Sequence, residues 1–169
     1  MTAVLELAKE YLGLERGRLA EIVDQTHIPH HVAVPEDVSA ATEQRPLDET
    51  FCERAATTAE PFGFRDPSAA GLADHPAAEQ RGIEAYIGVP VYVDGEQYGT
   101  LGFASTDRRA DAFSESEETF VRIVAQWAGK EISRRQNRRQ AREERQRLRQ
   151  ITDLLPQLVF AKDESGTFI

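Results

Sequence analysis

The spacing of apolar side chains divides the chain into segments. Val4, Leu5, Ala8, Tyr11 and Leu12 recur at three- and four-residue intervals, which predicts a helix over 2–12 that Gly13 ends. Residues 18–22 and 31–34 show partial two-residue alternation and are expected to be adjacent strands. The polar, proline-bearing run 35–47 reads as a loop. Asp48 or Thr50 is placed to cap a helix reaching about Thr58, with Glu53 as the reciprocal partner of Thr50 in a capping box, and Pro61 stops it. Residues 62–65 make a short strand. Asp66-Pro67-Ser68 then opens a turn and a loose helical segment through Arg81, broken at Pro76.

The clearest pattern lies in the middle of the chain. Residues 84–93 alternate, Asp94-Gly95 is a strong hairpin turn, and 97–104 return. Tyr86, Gly88, Pro90 and Tyr92 share one face with Tyr98, Thr100, Gly102 and Ala104 on the return strand; Ala85, Ile87, Val89, Val91 and Val93 oppose them, as do Leu101, Phe103 and Ser105. Pro90 has no ladder donor and needs an edge or irregular position. Gly88 and Gly102 leave room above the sheet, for a ligand or for a closely packed helix. Ser114, with Glu117 three residues on, caps a long helix carrying the apolar stripe Phe120, Val121, Ile123, Val124, Trp127, Ala128 and Ile132. Residues 133–147 hold one apolar side chain, Ala141, so the helix is expected to leave its own domain near Ile132. Apolar spacing resumes at Leu148, Ile151, Leu154, Leu155 and Leu158, followed by a strand–turn–strand pattern to Ile169.

Composition narrows the class. The 169 residues carry 29 acidic and 20 basic side chains, net −9, with 40 % hydrophobic residues: enough for one sizeable core. Residues 1–127 hold 23 acidic and 10 basic groups (−13), and residues 128–169 hold 6 and 10 (+4). Eight arginines lie between Arg134 and Arg149. That run has Glu143 and Glu144 interspersed and no stacking aromatics, so it reads as a solvated helix, with no nucleic-acid partner expected. No apolar run approaches 18 residues and no signal peptide pattern is present; a cytoplasmic protein without direct membrane contact is expected.

Candidate chemistry is sparse. Cys52 is the single cysteine, which excludes an intramolecular disulfide and a CxxC metal knuckle. It reads first as a small buried hydrophobe and second as a redox-sensitive thiol favoured by a helix start. His27, His30 and His31 read as exposed polar residues, because ligation would need further converging donors; no metal site is expected. His75 reads as a surface histidine and Asp66 as a turn-forming carboxylate. No Ser/His/Asp order, HExxH, Walker A or GxGxxG is present, so no catalytic residue is assigned.

The segments PLDETFCERA, EPFGFRD, ADHPAAEQRGIEAYIGVPVYVDGEQYGTLGFAS and FSESEETFVRIVAQWAGKEI together closely resemble a GAF domain, over roughly residues 3–133. The likeness is greatest to GAF modules of prokaryotic sensor proteins, especially sensor histidine kinases. ITDLLPQLVFAKDESGTFI resembles the first helix and strand of a PAS domain. The resemblance implies an α+β fold: a central antiparallel sheet of five or six strands, flanking helices and a long C-terminal signalling helix. The expected organisation is a sensor domain over 1–133, a charged helical linker over 134–150, and a PAS-like domain beginning at 151 within which the sequence ends.

The function implied is a regulatory module of a multidomain two-component (phosphorelay) protein. It would bind a small molecule, pair as a homodimer through its terminal helices, and act on downstream PAS and kinase domains. No cofactor is assigned to the segment; ATP would serve the parent kinase. Carried onto this chain, the pocket lining would be Phe51, Cys52, Phe64, Asp66, His75, Tyr86, Tyr98 and Phe103. The aromatic residues and few convergent charges suggest a small, largely apolar or planar ligand. Glu53 after Cys52 departs from the Cys–His pair of covalent bilin attachment. The cyclic-nucleotide pattern is also missing: the sole asparagine is Asn137 and the only lysines are Lys9, Lys130 and Lys162. The alternatives are a stand-alone thiol enzyme such as a methionine sulfoxide reductase and a ligand-free dimerisation module.

Overall fold

A computed structural model describes residues 1–35 and 42–154. The elements run α1 (Thr2–Leu12), β1 (Arg16–Val23), β2 (Thr26–Ala33), β3 (Arg45–Pro46), a single 3-10 turn (Leu47–Glu49), α2 (Cys52–Ala56), β4 (Phe62–Phe64), α3 (Pro76–Glu79), β5 (Ala85–Val93), β6 (Glu96–Ser105) and α4 (Glu115–Leu154). The six strands form one antiparallel sheet in the order β3-β2-β1-β6-β5-β4. This is the α+β fold that the resemblance implied.

Several local rules hold in detail. Gly13 ends α1 in the left-handed conformation, its N–H and that of Leu14 returning to the carbonyls of Glu10 and Lys9. Asp94 and Gly95 both take positive φ, 53° and 89°, as the β5–β6 turn requires. The Glu117 carboxylate accepts from the Ser114 N–H at 2.8 Å and its hydroxyl at 2.9 Å, while the Glu117 N–H donates back to Ser114 Oγ at 3.3 Å. Pro90 lies on the stretch of β5 beyond Gly88, where pairing with β4 has stopped, so no ladder bond is lost on that side.

Elsewhere tertiary pairing overrides the local pattern. β1 and β2 are longer than expected and meet in a turn at Asp24 and Gln25, both with positive φ. Leu19 pairs with His31 and Ala20 with Pro29, so His30 is left over as a bulge in β2, and it breaks the alternation that would have marked that strand. The presumed loop 35–47 contributes β3, whose two residues pair with Thr26 and His27. The Thr50–Glu53 capping box does not form. The Thr50 hydroxyl donates to the Leu47 carbonyl at 2.8 Å instead, and α2 is five residues long.

The sheet is covered on both faces. On one, Leu5, Ala8 and Leu12 of α1 and Val121, Val124, Ala125 and Ala128 of α4 are buried, as are Ile87, Val89, Leu101 and Phe103 of the strands. Gly129 lets α4 approach so closely that a Cβ there would collide with the Tyr92 carbonyl. On the other face Leu47, Phe51, Cys52, Ala55, Phe64, Ala77, Ile83 and Tyr86 form a second apolar cluster. Arg109 ties α1 to α4: it donates to the Leu12 carbonyl at 2.5 Å and to Glu117 at 2.7 Å, and lies 4.2 Å over the Phe113 ring. Burial pushes the Glu117 carboxyl up, but hydrogen bonds from Ser114 and Arg109 outweigh it and hold its pKa low.

The chain divides into two units, Met1–Glu131 and the residues from Ile132 onward. In the second, residues 134–151 of α4 are exposed throughout, with Arg139 and Glu143 paired at 2.7 Å. The strand–turn–strand pattern read over the final residues lies outside the described residues. Among the described residues, no helix is long and apolar enough to cross a membrane, and no group of three or more His, Cys, Asp and Glu side chains could hold a metal ion.

Candidate functional site

The second face of the sheet holds a cavity of about 70 Å³. Its position follows from strand alternation. Arg16 and Arg18 stand two apart on β1, opposite Ala104 and Gly102 of β6, and all four line it. His27 enters from β2, Phe51 and Cys52 from the start of α2, Arg81 and Ile83 from the segment after α3, and Tyr86 from β5. The room that Gly88 and Gly102 leave above the sheet is taken by Tyr86. A Cβ on either glycine would strike its phenol, that on Gly102 at 2.9 Å from the hydroxyl.

Cys52 is the chemical centre. It is buried, and the Tyr86 hydroxyl donates to its Sγ at 3.5 Å. Burial pushes the thiol up, but the adjacent His27 ring, followed by the hydroxyls of Thr100 and Tyr86, outweighs burial and brings its pKa down to about 6. The same arrangement, chiefly through burial, holds the Tyr86 phenol well above its ordinary value. His27 is 1 % exposed, and neither its ring nitrogens nor Thr100 Oγ1 make a hydrogen bond of regular geometry; Arg16 Nε is sealed as well. Proximity, not a formed hydrogen bond, is therefore how His27 acts on the thiol. Arg81 donates to the Glu49 carbonyl. Burial lowers the pKa of both Arg18 and Arg81, and the nearby Cys52 opposes that shift in each.

Of the eight residues proposed from sequence, Phe51, Cys52 and Tyr86 line this cavity. Phe64 and His75 stand one layer away, packed on the Phe51 ring at centroid distances of 4.7 and 4.3 Å. His75 is half-buried and caps α3, its Nδ1 accepting from the Ala77 N–H at 3.1 Å; burial lowers its pKa. Asp66 accepts from the Ser68 N–H at 2.8 Å and pairs with Arg108 at 3.2 Å, a loop clasp away from the cavity. Tyr98 sits 6.2 Å from the His30 ring, its phenol pushed up to about 12 by burial and by Glu21. Phe103 is fully buried on the opposite face, where a Cβ on Gly17 would press against its ring.

Sequence reasoning missed Arg16, Arg18, His27 and Arg81. The expectation of few convergent charges is corrected: three guanidiniums and an imidazole converge on the cavity. His27 is not an exposed polar residue either, because β3 pairs across it and the cavity wall closes over it. Only the Arg16-x-Arg18 spacing carried a readable signal; nothing local marks Arg81.

A family model described as the GAF domain matches residues 1–132. No curated protein matches the chain. Solved structures that it resembles include the blue-light-absorbing form of the PixJ GAF domain of Thermosynechococcus elongatus, with 19 % identity, a TM-score of 0.65, and coverage of 85 % of this chain and 90 % of that one. A GAF domain from an Acinetobacter phosphoenolpyruvate-protein phosphotransferase aligns at 13 % identity and TM-score 0.60, covering 76 % of each chain. A type II free methionine-R-sulfoxide reductase of Thermoplasma acidophilum aligns at 17 % and 0.59, covering 76 % of this chain and 86 % of that one. At these identities the likeness concerns the fold.

Proposed function

The chain belongs to the GAF domain family, and from that premise we propose that it is the sensory module of a multidomain signalling protein. In this reading a small molecule binds in the cavity beside Cys52, and its presence is passed on through α4. One observation carries the proposal. The buried stripe of α4, from Val121 to Ala128, is seated on the sheet whose other face bears the cavity, and the same helix runs unbroken to Leu154. A shift in the sheet must then be felt by the helix, and two packings with different ligand affinity make a switch.

The finer reading is a histidine kinase whose PAS-like domain begins at 151, with residues 134–150 as linker. Leu7 and Tyr11 of α1 and Ile123 and Trp127 of α4 are 42–66 % exposed, and Tyr11 packs on Phe120 at 4.4 Å. This apolar surface supports homodimerisation through the terminal helices. Light scattering of the chain at several concentrations tests it, and a strict monomer overturns it.

Transmission is tested in the parent kinase by autophosphorylation from ATP. Inserting one residue between Arg134 and Arg149 rotates the downstream part of the chain by about 100° and should change the output, whereas inserting seven should largely restore it. Output indifferent to both insertions, and to filling the cavity by Gly102→Leu, overturns the sensory reading. Two other readings have an observation each. The low-pKa Cys52 favours a thiol enzyme, which requires turnover of methionine sulfoxide with an external thiol, lost in Cys52→Ser. The phenol of Tyr86 lying across both glycines favours a ligand-free dimerisation module.

A further inference from the structure

The cavity gathers three half-buried guanidiniums and a buried imidazole around one space. Arg16 and Arg18 come from one face of β1 and Arg81 from the segment after α3; Glu15 lies near Arg16 and Glu49 near Arg81, but none of the three arginines closes an ion pair with a carboxylate among the described residues. Arg16 Nε is sealed from solvent without a partner. His27, 1 % exposed and part of the cavity wall, makes no hydrogen bond of regular geometry, its ring lying beside the Cys52 sulfur. Buried polar atoms are satisfied in the great majority of cases, so a set of unsatisfied donors around one space marks something that belongs there. A guanidinium offers parallel N–H donors that match two oxygens on one atom, the geometry of a carboxylate or similar oxyanion. About 70 Å³ accommodates a few waters or a molecule of a few heavy atoms.

We propose that the cavity is an anion site. It takes the carboxylate, or a comparable oxyanion, of a small molecule between Arg16, Arg18 and His27, and the bound anion competes with Cys52 for the same positive field. This rests on the reading of the cavity as the ligand site. The ionisable groups facing Cys52 are His27 from β2, Arg18 from β1, Tyr86 from β5 and Arg81, with Glu49 beyond Arg81. Arg16 lines the same wall, so apart from Cys52, Tyr86 and the more distant Glu49 carboxylate these groups are cationic or basic. Two negative groups in one such field disfavour each other, so an arriving anion drives a proton onto the Cys52 thiolate, and a thiolate weakens anion binding by the same factor. Residues 1–127 as a whole, at net −13, repel anions at long range, so selection is made by contact inside the cavity and not by steering.

The test uses the whole chain with sodium acetate as probe, at ionic strength held constant with sodium chloride. Acetate should raise the melting midpoint and lower the thiolate absorbance near 240 nm along one saturating curve, with sodium chloride alone doing neither. Arg18→Gln should weaken acetate binding at least tenfold, with Arg18→Lys intermediate. Cys52→Ser should bind acetate several-fold more tightly than the unmodified protein at pH 8 and equally at pH 5, where the thiol of the unmodified protein is neutral. If Arg18→Gln does not fold, Arg16→Gln serves the same purpose. A folded protein with no saturable response to acetate, formate or nitrate overturns the proposal, as does an equal response in the arginine variants. Binding with unchanged thiolate absorbance overturns the competition with Cys52. Acetate binding together with an output indifferent to helix insertions would leave the anion site standing and remove the sensory reading.

Discussion

The two faces of the sheet follow different chemical rules. Against α1 and α4 the strands present Ile87, Val89, Leu101 and Phe103, a dry aliphatic and aromatic layer in which every side chain is a source of stability and none offers a donor or acceptor. Against α2 the same strands present Arg16, Arg18, His27, Thr100 and Tyr86 around a thiol. Three of those residues keep a polar atom sealed without a partner. Burying such atoms works against folding, so the first face must supply stability that the second consumes. A sheet one residue thick thus separates a structural side from a chemical one, with alternation along β6 sending Phe103 to one and Gly102 to the other.

That division can be broken experimentally. Phe103→Ala should cost about 3–5 kcal/mol in urea unfolding, since the ring is fully buried and opposed by Gly17. A cost under about 1 kcal/mol would mean that the dry face is not what holds the domain together. On the chemical face the effect should depend on pH. The Cys52 pKa is depressed to about 6 in the folded state, below its ordinary value near 9. The thiolate therefore contributes stability that is fully present above about pH 9 and is lost as pH falls through about 6. The stability gap between the unmodified protein and Cys52→Ala should widen between pH 6 and pH 9 by something on the order of 2–4 kcal/mol. A gap that is flat with pH would return Cys52 to the status of a small hydrophobe. Ser114→Ala touches neither face and removes only the α4 cap. Glu117 stays ionised between pH 6 and pH 9, so over that range the substitution should cost about 1 kcal/mol independent of pH, which makes it the control for the other two.

The same division explains what could be read from the chain. The dry face was legible because its rules are local. Period-two alternation runs through β5 and β6, Asp94-Gly95 marks their turn, and Ser114 with Glu117 marks the start of α4. The far end of the sheet was not legible in the same way. Asp24-Gln25 turns without a glycine, Pro29 sits next to a bulge at His30, and β3 is two residues long; each makes sense only once its neighbour is in place. The site divides likewise. Cys52 stood out as the single cysteine, and Tyr86 by its place on the glycine face. His27 lies 25 positions before Cys52 and meets it only because β1 and β2 fold back on each other. Phe103 was proposed for the pocket, but the pairing of β5 with β6 sets it opposite Ile87, on the side away from Tyr86.

Tyr86 has one more consequence. Because its phenol lies over Gly88 and Gly102 and donates to Cys52, the cavity already contains a tethered guest supplied by the chain itself. A molecule small enough to lodge beside the ring needs no rearrangement. A larger one must first evict it, and its measured affinity is reduced by however rarely the ring swings out. Eviction also breaks the O–H···S contact, so the size of an incoming compound is translated into the state of a sulfur atom. The domain would then sort what enters by bulk before any charge is compared.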